Sequence, residues 1–246
     1  MSRLSDNQVD AIARRVLEKM VGGAEVPLSP SAASALKRDG AAPPGVFRSI
    51  DECVAAAAVA QKAYAPLGLV KRKEIIQSIR DSMMEHCEDL SREAVEETGL
   101  GRVDSKILKN RLVTLKTPGP EELESVAWTG DDGLTLVERA PFGVIGAITP
   151  TTNPTSTIIC NSIGMLAAGN SVVFNVHPNA KNVSMRNVGL INEAVMCAGG
   201  PPNVVTAMAE PTIASAQLLM RHQGIRLLGI AGDDCFEVGR RHRASR

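Results

Sequence analysis

The stretch VIGAITPTTNPTSTIICNSIGMLAAGNSVVFNVHPNAK, residues 144–180 with Lys181 closing it, changes the rhythm of the chain. A short β-rich run, VIGAIT, is followed by a polar loop and then by a helical pattern over 154–168. Gly169-Asn170 marks the end of that helix, and a second β-rich run, SVVFNV, begins at once. The unit repeats downstream: NVVTAM and IRLLGIA read as strands, and 180–198 and 212–222 as helices, with Gly199-Gly200 and Gly224 at their ends. Strands and helices alternating at this spacing predict parallel βαβ units joined by right-handed crossovers. The fold class is therefore α/β, a doubly wound, Rossmann-like parallel sheet. Ligands of such sheets sit beyond the carboxyl ends of the strands. That rule directs attention to three loops: TPTTNPT after the first strand, HPNAK after the second and AGDD after the fourth.

Upstream, SIDECVAAAAVAQKAYAPL and LVKRKEIIQSIRDSMMEHCEDLSREAVEETG read as two long helices. Residues 105–125 continue helically until Pro118 and Pro120. The Gly-Asp-Asp-Gly sequence at 130–133, followed by alternating Leu134 and Leu136, predicts one arm of a hairpin.

The first residues, RLSDNQVDAIARRVLEKMVGG, carry full helix punctuation. Ser5 and Gln8 form a capping box, and Leu4 and Val9 occupy hydrophobic-staple positions. Val9, Ile12, Ala13, Val16, Leu17 and Met20 make one apolar stripe. A Pro-, Ser-, Ala- and Gly-rich linker follows. An isolated helix of this length is marginal in water, so its stripe needs a partner: its own body, a second subunit or a groove on another protein. The predicted organisation is a helix over 1–22, a linker over 23–44, a cofactor-binding body over 45–232 and a divergent tail over 233–246.

Composition bounds the function. The 246 residues are 44% hydrophobic and 22% charged, and 27 basic residues balance 27 acidic ones. A net charge of zero offers no global field to recruit nucleic acid or an anionic membrane. No apolar run approaches the length of a membrane span. Five dispersed cysteines form neither a CxxC pair nor a disulfide framework and read as reduced thiols. Cys53, Cys87, Cys160 and Cys197 fall within helical patterns, where a buried small hydrophobe is the expected role. The four histidines have no ligand spacing with cysteines or carboxylates, so no metal is expected.

Four motifs in order resemble the CoA-acylating branch of the aldehyde dehydrogenases associated with bacterial microcompartments. They are GVFRSIDECVAAAAVAQ, EETGLGRVDSKILKN, the long stretch from TGDDGLTLVERAPFGV through HPNAK, and AGGPPNVVT. The resemblance spans nearly the whole chain to about Gly232. It implies an oxidoreductase that converts a short aldehyde, CoA and NAD to acyl-CoA and NADH. It also implies that the amino-terminal helix docks to a shell protein, placing the enzyme in a microcompartment lumen. The complete enzyme is expected to be a homo-oligomer, with no nucleic-acid or membrane partner.

The resemblance assigns roles to the loops. Thr149, Pro150 and Thr151 lie where the family's loop passes the nicotinamide ribose, and Asn153 offers an amide to the oxyanion formed by thiolate attack. A gap-free match to hydrolytic relatives instead puts Thr152 in the oxyanion column, and Asn153 could serve simply as cap to the helix starting at Pro154. Asn175 and Pro178 fall where hydrolytic relatives contact the adenosine ribose; His177 and Pro178 suit a loop that serves both NAD and CoA. His177 reads as a neutral loop histidine. Gly232 corresponds to a helix start facing the pyrophosphate, but Asp233 and Asp234 follow and would repel it. The family's catalytic cysteine and general-base glutamate have no counterpart here. Cys235 follows Asp233 and Asp234, which oppose a lowered thiol pKa, and four arginines in the last seven residues read as a solvated tail. The expectation is an amino-terminal portion, inactive alone. A non-enzymatic docking fragment and a free NAD- or CoA-binding module are the alternatives.

Overall fold

The computed structural model describes residues 43–231. The expected helix at 1–22, most of the linker, Gly232 and the tail with Cys235 lie outside the described residues.

Five parallel strands form one sheet: β1 (Val46–Phe47), β4 (Val144–Ile148), β5 (Ser171–Asn175), β6 (Val205–Met208) and β7 (Leu227–Ile230). Their spatial order is β1-β6-β5-β4-β7. The hairpin predicted at the Gly-Asp-Asp-Gly turn forms a separate antiparallel pair, β2 (Val126–Gly130) and β3 (Gly133–Val137), all of it solvent-exposed. The two-residue β1 is too short to show any alternation, which is why sequence pattern alone misses it.

Among the described residues seven α-helices accompany the sheet: α1 (Ile50–Tyr64), α2 (Leu69–Glu85), α3 (Cys87–Thr98), α4 (Val103–Lys116), α5 (Pro154–Ala167), α6 (Lys181–Cys197) and α7 (Ile213–Arg221). α1 begins with a capping box in which the Ser49 hydroxyl accepts the Glu52 N–H at 3.2 Å and the Glu52 carboxylate accepts the Ser49 N–H. The single long helix expected over 69–98 is instead two. At His86 the backbone turns out of helical geometry (φ −91°, ψ 7°), and the imidazole Nδ1 lies 2.9 Å from the Ser82 carbonyl. The break turns α3 against α4, while α2 packs on α5 and α6. The helix expected over 105–125 ends at Lys116, and Pro120–Leu123 form a 3₁₀ turn. Pro118 and Pro120 account for this, because neither offers an N–H to extend the helix.

The sheet separates two apolar layers by the period-two alternation of its strands. On β5, Val172 and Phe174 join α2, α3, α5 and α6 in the larger core, while Val173 faces the smaller one with Ile50, Val54 and Leu219. Asn192 on α6 ties β1 and β6 together, donating to the carbonyls of Pro44 at 3.3 Å and Val205 at 2.7 Å. Gly45 sits directly against it in the left-handed region (φ 84°), and a Cβ there would lie 2.4 Å from both Asn192 Nδ2 and the Val205 carbonyl. Gly45→Ala therefore combines backbone strain with a clash against a central strand. It should cost about 1–3 kcal/mol, read as a lowered midpoint in urea unfolding. Phe174→Ala empties the main core and should cost about 3–5 kcal/mol in the same assay.

Candidate functional site

The βα topology brings the carboxyl ends of β4, β5 and β7 together. The Thr149 N–H donates to the Asn175 carbonyl at 3.3 Å, and the Ala231 N–H to the Ile148 carbonyl at 3.0 Å. The Ser215 hydroxyl, in the first turn of α7, donates to Asn175 Oδ1 at 2.6 Å. Asn175, a position the resemblance relates to ribose contact, is thus committed to holding α7 over the strand end. Thr149 is 3% exposed, and the hydroxyls of both Thr149 and Thr151 are buried without a protein partner.

The loop from β4 enters α5 at Asn153, which occupies the N-cap position but makes no side-chain capping bond. Its Oδ1 instead accepts from Lys109 Nζ at 2.6 Å, and its Nδ2 lies 3.4 Å from the Thr152 hydroxyl. The preceding carbonyl, Thr152 O, accepts from Lys106 Nζ at 3.0 Å. Thr152 itself is exposed and Pro150 half-buried. Lys106 is 7% exposed; desolvation, then the neighbouring Lys109 charge, lowers its pKa from the usual lysine range.

Between α4 and α5 lies an open pocket of about 300 Å³. Lys109 and Val113 form one side, and Asn153, Ser156, Thr157 and Cys160 the other. Behind it runs a buried polar relay. Ser91 donates to the Cys87 carbonyl at 2.7 Å, Asn110 Nδ2 to Ser91 Oγ at 3.0 Å, Thr155 Oγ1 to Asn110 Oδ1 at 3.0 Å, and Asn187 Nδ2 to the Thr155 carbonyl at 3.1 Å. The relay joins α3, α4, α5 and α6, so it sets the two walls of the pocket relative to one another.

On the β5 side, His177 Nδ1 accepts the Asn179 N–H at 3.2 Å. In the neutral ring the proton then resides on Nε2. Pro178 is exposed and opens a 3₁₀ turn. The amino end of α6 is closed by the protein itself: the Glu97 carboxylate accepts the N–H groups of Asn182 at 2.9 Å and Val183 at 2.8 Å. Two N–H groups that a phosphate would use at that helix end are therefore already taken by a carboxylate. Gly232, the remaining residue of the expected site, lies outside the described residues.

The cysteines divide. Cys53 and Cys87 are buried, with burial raising both thiol pKa values, Cys53 to about 12. Cys160 is half-buried in the pocket wall and Cys197 is exposed, so the buried role expected for these two is corrected. Both lie on helix faces that meet solvent rather than the sheet. Sequence pattern also misses Lys106, Lys109 and Glu97. The one signal available was a pair of lysines three apart in DSKILKN, on one helix face.

The fold and edge geometry define an α/β protein with a Rossmann-like parallel sheet and a polar pocket beside the first βα loop. The chain belongs to the aldehyde dehydrogenase family, whose model matches residues 41–241. It is 46% identical over 199 residues to an acetaldehyde dehydrogenase (acetylating) of Escherichia coli strain K12, covering 80% of this chain and 42% of the relative. A propionaldehyde dehydrogenase from the Clostridium phytofermentans fucose utilisation bacterial microcompartment superposes with a TM-score of 0.78 at 49% identity, covering 82% of this chain and 47% of that one. A Rhodopseudomonas palustris propionaldehyde dehydrogenase solved with bound propionyl-CoA gives 0.76 at 48% identity, covering 86% and 46%. The chain thus spans less than half the length of these relatives.

Thiol labelling checks the burial pattern. With a disulfide reagent at neutral pH, peptide mapping of the four cysteines among the described residues should find Cys197 modified before Cys160, with Cys53 and Cys87 untouched until denaturant is added. Asn110→Ala strands the Thr155 hydroxyl inside the protein, removes the donor to Ser91 Oγ, and should lower unfolding free energy by about 1–3 kcal/mol.

Proposed function

We propose that this chain provides the cofactor edge and the aldehyde-side wall of a CoA-acylating aldehyde dehydrogenase. The overall reaction takes a short aldehyde, CoA and oxidised NAD to acyl-CoA, NADH and a proton. Asn153 carries the reading: an uncapped, pocket-lining amide at the exit of the first βα loop, next to two ammonium groups. Thiolate attack on an aldehyde carbon shifts an electron pair onto the carbonyl oxygen. A preorganised amide aimed at that oxygen stabilises it by roughly 3 kcal/mol.

NAD, when bound, accepts the hydride. The residues that would hold it are those at the strand ends. Thr149, Pro150 and Thr151 flank the ribose, and the unpartnered Thr149 and Thr151 hydroxyls fit a ligand that brings acceptors to this loop. His177, with its proton on Nε2, is a donor to either nucleotide, and Pro178 keeps the loop free of a competing N–H. Because Glu97 closes α6, the phosphates are directed to the β4 and β7 loops, towards Gly232. Among the described residues, Cys53 and Cys87 are buried, Cys197 lies at the carboxyl end of α6, and Cys160 sits within α5 in the pocket wall rather than at a strand end.

Calorimetric titration tests this reading. NAD and CoA should each bind saturably and compete with one another, and His177→Ala should weaken both by up to about tenfold, the worth of one hydrogen bond. Absence of saturable binding by either nucleotide overturns the reading.

The amino-terminal segment, residues 1–22, is assigned to docking on a microcompartment shell protein, and the chain to the lumen. Among the described residues no helix is long and apolar enough to cross a membrane. Removal of residues 1–22 should abolish co-purification with shell protein while leaving the nucleotide titrations unchanged; undiminished capture overturns the docking role.

A further inference from the structure

We infer that Lys109 is a positioning residue for Asn153: its ammonium holds the amide oxygen, so that the amide N–H bonds are the part presented to the pocket. The inference rests on the reading of Asn153 as the oxyanion donor.

An asparagine side chain has two ends of similar shape and opposite hydrogen-bonding character, and only its neighbours decide which end points where. A cap would take the oxygen for a helix N–H, yet Asn153 makes no such bond. The neighbour that decides is Lys109. An ammonium can only donate, so the atom 2.6 Å from Nζ must be the amide oxygen. The N–H₂ end is then left with one contact, the Thr152 hydroxyl at 3.4 Å, longer than an ordinary hydrogen bond. Both donors therefore stay available to a stronger acceptor.

Two further features prepare this arrangement. Lys106, three residues earlier on the same helix, fixes the backbone immediately before Asn153 through the Thr152 carbonyl. The relay through Asn110 and Thr155 locks α4 onto the first turn of α5, so the lysines cannot slide along the loop. Among the described residues neither ammonium has a carboxylate partner. Their positive charge is thus uncompensated where a negative oxygen would form. An ammonium on the carbonyl side of an amide also draws electron density from its nitrogen, making the N–H bonds better donors. Lys109 would act through Asn153 in both ways, by orientation and by polarisation.

The test is nuclear magnetic resonance of the chain labelled with ¹⁵N-asparagine, following the Asn153 side-chain amide. Lys109→Met should shift this pair of signals upfield, with the loss of the charged donor. Lys109→Arg, whose guanidinium can donate to the same oxygen, should return them towards their native position. Melting temperature should barely change in either variant, since Lys109 is exposed. Asn153 signals that superimpose in the native protein and Lys109→Met, or that Lys109→Arg fails to restore, overturn the role of Lys109. Addition of propionate, which brings a negative oxygen without needing a nucleophilic thiol, tests the reading beneath it. If the signals respond to Lys109→Met but not to saturating propionate, the oxyanion reading of Asn153 falls and the contact with Lys109 remains as architecture.

Discussion

A thread of hydrogen bonds through an otherwise apolar layer holds the working parts of this protein in place. It runs from the Cys87 carbonyl through Ser91, Asn110 and Thr155 to Asn187, and each link joins a different pair of helix positions. Apolar packing alone is nearly indifferent to small rotations of a helix about its axis, whereas a buried amide is not. Leaving Asn110 or Thr155 unpaired would cost on the order of 1–3 kcal/mol. The relay therefore sets the rotation of α4, and that rotation decides which of its side chains face the β4 loop.

Electrostatic organisation follows from the same constraint. α4 turns Lys106 and Lys109 towards Thr152 and Asn153, while α3 turns Glu97 onto the amino end of α6. One edge of the sheet is thereby made positive and left open, and the neighbouring helix terminus is neutralised and closed. An anion approaching this edge meets two lysines without a carboxylate partner among the described residues at the first βα loop, but a carboxylate at the start of α6. The division gives the edge a direction: its cationic groups lie beside α5 and its carboxylate at the start of α6.

Much of the fold was legible in the chain. The runs at 144–149, 171–176 and 203–208 are the short, β-rich segments of buried parallel strands, the run at 225–231 is the half-exposed edge strand β7, and glycines follow the helices between them. Those local patterns survive folding because strands covered on both faces need continuous apolar sequence. The hairpin was legible from its turn. The break at His86 was not, since apolar periodicity runs through it; the turn there comes from a second helix packing partner and from the His86–Ser82 contact. The environments of Cys160 and Cys197 were misjudged for a related reason. A helical pattern shows that a residue lies on a helix, but the neighbours decide whether that face meets the core or solvent.

The candidate site divides in the same way. The sequence by itself determined that the loops carrying Thr149 to Asn153 and His177-Pro178 end adjacent strands, because chain order and parallel topology dictate it. Only the tertiary structure decided what those side chains touch. Lys109 and Asn153 are 44 residues apart, Glu97 and Val183 are 86 apart, and Asn175 and Ser215 are 40 apart. Contacts between elements distant in the chain depend on helix rotation and crossing geometry, which the whole core sets at once and no local pattern encodes.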